Sequence, residues 1–209
     1  MSDNKVLSSY KATSPKDKMA TYDTWADSYE RDLCAMGYRL PAITAGAFAR
    51  YVAPDTGPIL DAGCGGGIQA EALALMGYGP LIGLDLLNGM LEVARAKGIY
   101  SELHQGALGP QLDLSDNSMG AVLCIGTITP NHAPPDSLDG LIRVARPGAA
   151  IVFSLRDDPA QDPAYPDRVE ALTNAGAWRA IWSSDSFGSM PYGAEEVTHR
   201  LHVYIKTAR

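Results

Sequence analysis

The sequence predicts an α/β fold: one doubly wound, mostly parallel sheet with helices on both faces and an antiparallel end. Three observations predict it. Short apolar runs alternate with helix-patterned segments from residue 59 onward, as in strands joined by crossover helices. The string Gly63-Cys64-Gly65-Gly66-Gly67 follows the first apolar run and precedes a helix, the place where this architecture bends its chain around a ligand. The last apolar segment, 197–206, alternates with period two, which suits a half-covered strand rather than one buried on both faces.

The elements follow in order. The first twenty residues are polar and rich in Lys and Ser, without the apolar core of a secretory signal, and the tail is expected to be disordered until a helix begins near Asp17. A helix over 16–36 carries Met19, Tyr22, Trp25, Ala26, Tyr29, Leu33 and Met36 on one face, with Gly37 as its stop. Pro41 suits the first turn of a second helix ending near Tyr51. Residues 59–61 open the sheet, and a helix over 68–76 follows the glycines. The next strand is 81–85, then a helix over 89–97 with Asn88 as cap and Gly98 as stop. A weaker strand at 100–104 precedes the strong run Ala121-Val122-Leu123-Cys124-Ile125, whose apolar continuity fits a strand covered on both faces. Asp136 or Ser137 starts the next helix, Pro147-Gly148 turns the chain, and 149–155 is another strand. A helix over 166–175 and a strand over 178–183 lead to the final strand. The connection 184–196 is too short for a crossover helix, so the last pair is expected to be antiparallel. Residues 1–53 are read as an N-terminal tail and helical lid, and 54–209 as the core of a single domain.

Composition narrows the function. A net charge of −7 argues against capture of nucleic acid, which runs on Lys and Arg meeting phosphates. No stretch reaches the ~18 apolar residues of a membrane span. Cys34, Cys64 and Cys124 lack CxxC spacing, and the four His form no i,i+4 pair, so no metal is expected. A reducing cytoplasm is the expected compartment.

The glycine loop and two acids carry the cofactor reading. In dinucleotide enzymes a GxGxxG loop aims helix N–H groups at a pyrophosphate. Here the sixth position is Ile68, and Asp61 precedes the glycines at the strand tip. A carboxylate there suits a cationic amino group and repels a pyrophosphate, which favours S-adenosyl-L-methionine over NAD. Asp85, 24 residues later at the end of the second strand, can accept both ribose hydroxyls; that role would serve NAD equally.

These strings resemble the class I S-adenosylmethionine-dependent methyltransferases. ILDAGCGGG looks like the family's first motif, LIGLDL like its second, and LIRVARPGAAIVFSL like its helix–turn–fifth strand. YDTWADSYERDL (22–33) and GYRLP (37–41) are similar to the branch named after the Williams–Beuren syndrome critical region methyltransferase-like proteins. The likeness runs from Tyr22 to Tyr204. It implies a Rossmann-like, seven-stranded sheet with an antiparallel final strand. It also implies that Asp61, Gly63 and Gly65 flank the methionine part of the cofactor, that Asp85 takes the ribose, and that Leu86 and Met90 border the adenine. Many members carry Gly-Asp-Ala after strand three; here Gly106-Ala107-Leu108 leaves the adenine to backbone groups and to apolar contact at Leu108. Tyr29 is the lid's candidate cofactor contact, and Trp25 reads as packing. Cys64, Cys124 and Gly126 are placed beside the cofactor, the cysteines as small apolar residues.

The loop after strand four, 126–135, would face the methyl acceptor, because ligands lie beyond the carboxyl ends of the strands. His132 is its candidate general base, since an imidazole titrates near about 6.5; a loop-satisfied His is the alternative. Asn131, Arg156 and Tyr165 are candidate substrate contacts, Arg156 as a fork for carboxylate or phosphate, or else as an ion pair with Asp157 or Asp158. Trp182, Tyr192 and His199 either close the cavity or pack. The expected activity is methyl transfer from S-adenosylmethionine to a small-molecule acceptor. A non-catalytic module binding S-adenosylmethionine or S-adenosylhomocysteine, and a protein methyltransferase, are the competing readings.

Overall fold

The computed structural model describes residues 28–130 and 132–208. Tyr22, Trp25, the N-terminal tail and Asn131 lie outside the described residues. Helix α1 is described over 28–35. It is followed by α2 (Leu40–Tyr51), β1 (Ile59–Ala62), α3 (Ile68–Leu75), β2 (Leu81–Asp85), α4 (Asn88–Lys97), β3 (Glu102–Gln105) and β4 (Met119–Cys124). Then come α5 (Ser137–Val144), β5 (Ala145–Arg156), α6 (Ala164–Asn174), β6 (Trp178–Ser183), β7 (Phe187–Met190) and β8 (Ala194–Lys206).

One sheet runs in the order β3-β2-β1-β4-β5-β8-β6. Strands β1 to β5 pair in parallel, and β8 pairs antiparallel with β5, β6 and β7. The chain leaves β1 toward β2 and β3, then crosses back to β4 on the other side of β1. The strand order therefore reverses between β1 and β4, and a crevice opens there at the strands' carboxyl ends. Both central strands are buried along their whole length, β4 as its apolar continuity predicts and β1 with the polar Asp61 among its buried residues.

The expected seven strands are eight. Residues 187–190 form β7, which pairs with the first half of β8 while β6 pairs with the second half. Two short strands thus share one edge of β8, and the sheet keeps seven positions. The pairing also starts β8 at Ala194 rather than at 197. The Phe-Gly-Ser-Met run hides this strand, because Gly and Ser carry little strand preference.

Two cores cover the faces. On one face Phe153 stacks on Trp178 with ring centroids 5.4 Å apart, beside Leu138 and Leu141 of α5. On the other, Leu40, Ala47 and Phe48 of α2 and Leu73 of α3 meet β1, β4 and β5. Phe48 meets Tyr78 edge-on, and the Tyr78 hydroxyl reaches the Phe48 and Val52 carbonyls at the end of α2, the second of which the helix leaves open. Helix α4 begins one residue earlier than expected: Leu87 is its N-cap and Asn88 its first residue. Its stop, Gly98, is left-handed as the sequence predicts. Among the described residues no helix is long and apolar enough to cross a membrane.

Candidate functional site

The site is built at the crevice between β1 and β4. As β1 ends, the Gly63 and Cys64 N–H groups both donate to the Leu84 carbonyl of β2, at 2.7 and 3.0 Å. This ties the turn to the neighbouring strand. Gly63 has φ +76°, and a Cβ on it would lie 2.4 Å from Thr127 Cγ2, so both backbone and space demand glycine. The Thr127 hydroxyl in turn lies 3.3 Å from the Gly63 carbonyl. Thus the β1 and β4 loops clasp each other by way of a residue that no other side chain could replace.

Asp85 is fixed as firmly. Its Oδ2 accepts the Gly65 N–H at 2.8 Å and its Oδ1 the Leu87 N–H at 2.9 Å. Burial pushes this carboxyl up, while the amides of Leu87, Gly65 and Leu86 pull it down. A carboxylate offers about four lone-pair sites, so capacity remains beyond these amides.

A cavity of about 430 Å³ lies over this loop. Gly63, Cys64 and Gly65 form its floor, Asp85, Leu86 and Met90 one wall, and Leu108 the next. Gly126 borders the glycine loop by way of its neighbour Thr127, and His132, Tyr165 and, from α1, Tyr29 complete the lining. The structure therefore brings all of these candidates to one space. The Gly126 N–H donates to the buried Ser154 hydroxyl at 2.8 Å, fixing the start of the β4 loop. The Tyr165 hydroxyl donates to the Ala133 carbonyl at 3.0 Å, and burial pushes that phenol up to about 12. His132 Nδ1 and the Thr129 hydroxyl are 2.8 Å apart.

Other candidates sit elsewhere. Asp61 does not line the cavity: it is fully buried beneath the loop, where its Oδ2 accepts the Tyr100 hydroxyl at 2.7 Å. Burial pushes its carboxyl up to about 7, against the Tyr100 hydrogen bond and with a smaller upward push from Asp85. Cys124 is buried within β4, off the cavity wall. Arg156 grips Asp158 through both Nε and Nη2, at 2.8 and 2.7 Å, and lines a separate groove beside α6. The local acid meets the guanidinium fork before any substrate can. Burial pushes the Cys64 and Cys124 thiols up, so neither is a ready nucleophile. Trp182 packs on Tyr51, Tyr192 is exposed, and His199 is buried against Ser189; none lines the cavity.

Sequence reading missed Tyr38, Gln69 and Thr127, all on the cavity wall. Gln69 donates from Nε2 to the Tyr38 hydroxyl at 3.1 Å. Its signal was there: it shares the buried α3 face with Leu73, four residues on, and a polar residue on such a face asks for a partner.

Among the described residues the cavity's one carboxylate is Asp85, and no Lys or Arg lines it. A pyrophosphate would find no counter-charge there. A cationic nucleoside finds an acceptor pair for its diol at Asp85 and apolar walls at Leu86, Met90 and Leu108 for its base. The donor set fits S-adenosylmethionine.

The family description "Methyltransferase domain" matches residues 60–153. Human methyltransferase-like protein 27 is 30% identical over 177 residues, which take in 80% of this chain and 71% of that protein. The ubiquinone biosynthesis O-methyltransferase of Hahella chejuensis is 31% identical over 100 residues, 46% of this chain and 42% of that enzyme; the match spans less than half of its length. Among solved structures, the methyltransferase bound to the Haloferax volcanii Trm112 methyltransferase activator aligns with a TM-score of 0.69 at 19% identity, over 89% of this chain and 97% of that one. An S-adenosylmethionine-dependent methyltransferase from Thermotoga maritima aligns with a TM-score of 0.64 at 16% identity, over 89% and 98%. These two share the fold. With the relative that matches along most of both chains, a glycine loop clasped between β1 and β4, and a carboxylate at the tip of β2, the chain belongs to the class I S-adenosylmethionine-dependent methyltransferases.

Proposed function

We propose that this enzyme methylates a small-molecule acceptor held at the far end of the cavity, against His132, Ala133, Pro134 and Tyr165. The observation that carries this reading is that the glycine-loop end and this end belong to one cavity. Bound there, S-adenosylmethionine supplies an electrophilic methyl group on a sulfonium. Asp85 accepts the ribose hydroxyls, Leu86, Met90 and Leu108 sandwich the adenine, and the backbone at Gly63 and Gly65 borders the methionine end. Tyr29 closes the cavity from α1, and that helix acts as the lid. The β4 loop, pinned at Gly126 by Ser154 and at Ala133 by Tyr165, holds the acceptor in line and keeps water out.

His132 is the base. When its Nδ1–H donates to the Thr129 hydroxyl, Nε2 carries the lone pair that takes the acceptor's proton. Relatives named for ubiquinone and demethylmenaquinone methylation support a small acceptor with an apolar body, which the Pro and Ala lining suits. Cys34, Cys64 and Cys124 are free thiols and suit a reducing cytoplasm. Incubating the enzyme with metabolite pools and methyl-labelled cofactor, with mass-spectrometric readout, tests the reading. A labelled small molecule is the expected result; label appearing only on protein overturns it.

A further inference from the structure

Asp61 is buried without an evident task. Its Oδ2 accepts from Tyr100, but its Oδ1 has no hydrogen-bond partner among the described residues and is sealed from solvent. Its surroundings are shaped for the Tyr100 ring. A Cβ on Gly67 would lie 3.0 Å from Tyr100 Cε2, and one on Gly83 would lie 3.2 Å from Tyr100 Cδ1. The neighbouring Ser101 gives both its N–H and its hydroxyl to the Leu81 carbonyl, at 2.9 Å each, and so holds the segment in place. The ring therefore sits in a slot between the last glycine of the loop and β2, with its hydroxyl reaching β1.

We propose that Tyr100 is a positioning residue that keeps Asp61 as a negative centre behind the glycine loop, and that this centre makes the loop prefer the sulfonium cofactor over the uncharged thioether left after methyl transfer. The inference rests on the cofactor placement above. Cofactor and product share their ribose, base and amino-acid groups, so wall contacts distinguish them little. They differ by one positive charge, and a buried carboxylate acts on such a charge without touching it, because little solvent lies between to screen it.

The groups facing Asp61 are Tyr100 from the α4–β3 connection, Cys64 from the loop, Asp85 from β2 and Cys124 from β4. Glu30 of α1 acts on Tyr100, and Lys97 of α4 is held by Glu30 and Glu71. Burial pushes Tyr100 and both thiols up, so they stay neutral. Asp61, pushed up to about 7, changes charge in the neutral range. As pH falls through that value the preference should fade.

Titration calorimetry with S-adenosylmethionine and with S-adenosylhomocysteine, on wild type, Tyr100→Phe and Asp61→Asn, tests this. Carboxyl-carbon NMR of Asp61 in each of the two complexes accompanies it. The affinity ratio of the two ligands, read relative to Asp61→Asn to remove the ligands' own titration, is expected to fall up to about tenfold from about pH 8 to about pH 6 in wild type. Its midpoint should fall between the two NMR midpoints, with the S-adenosylmethionine complex titrating lower. Tyr100→Phe removes the donor that favours the charged acid, so its midpoint should move up. A pH-independent ratio, or Tyr100→Phe with the wild-type midpoint, overturns the proposal alone. No S-adenosylmethionine binding at any pH overturns the cofactor placement with it. Should Tyr100→Phe fail to fold, the wild-type titrations decide: a lower Asp61 midpoint in the S-adenosylmethionine complex than in the S-adenosylhomocysteine complex supports the proposal, and equal midpoints refute it.

Discussion

Replacing Asp61 by Asn probes the electrostatics beneath the glycine loop without any ligand. Asn keeps an oxygen to accept from Tyr100 and removes the charge. In the folded protein the Asp61 carboxyl is pushed from 3.8 up to about 7, mainly by burial. A folded value above the unfolded one means that the neutral form is favoured on folding. Relative stability from this group is therefore full at low pH and is lost as pH rises toward the folded value. A shift of about three units corresponds to about 4 kcal/mol at the plateau above neutrality. About a third of that is already lost at about pH 5, so the stability advantage of Asp61→Asn should grow by about 3 kcal/mol between about pH 5 and about pH 8. Urea unfolding of both proteins at several pH values reads the difference directly, and other titrating groups cancel between them. An advantage that stays flat across this range would refute the reasoning, since it would mean that Asp61 is charged at no cost in its buried place.

Other expectations concern the cavity and its neighbours. Gly63→Ala puts a Cβ 2.4 Å from Thr127 at a positive φ, so it should cost about 1–3 kcal/mol in thermal or urea unfolding and weaken S-adenosylmethionine binding in calorimetry. His132→Gln should lower kcat about a hundredfold, leaving cofactor affinity unchanged; unchanged turnover on the true acceptor would remove the base assignment. Arg156→Ala leaves Asp158, itself mostly buried, without its partner, and should destabilise by about 3 kcal/mol while the KM for the acceptor stays as it was.

The parts of this molecule that were legible in the sequence are those set by local pattern. Strand β4 is covered on both faces, so it reads as an unbroken apolar run. Gly98 ends α4 because only a residue tolerant of the left-handed conformation fits there. The glycine loop and Asp85 are legible because a turn and a strand tip lie within one βαβ unit. What escaped depends on distant partners. The Asp61–Tyr100 hydrogen bond joins residues 39 apart, and nothing in the string around Asp61 says that its carboxylate points beneath the loop and away from the cavity. The Tyr38–Gln69 pair joins two elements in the same way. Strand β7 escaped because Gly188 and Ser189 break the apolar alternation, and only the opposite edge of β8 makes it a strand. Arg156 was a matter of competition: Asp158, two residues on, holds the guanidinium through two hydrogen bonds, and no distant substrate matches that proximity.

Calorimetric titration of S-adenosylmethionine into wild type and Asp85→Asn puts the carboxylate at the tip of β2 to the most direct test. Asn can still accept an amide N–H but loses the charge that strengthens hydrogen bonds from a ribose diol, so wild type should bind and the variant should bind about tenfold or more weakly. Equal affinity in the two proteins, or binding of NAD in place of S-adenosylmethionine, would contradict the placement of the cofactor over the glycine loop.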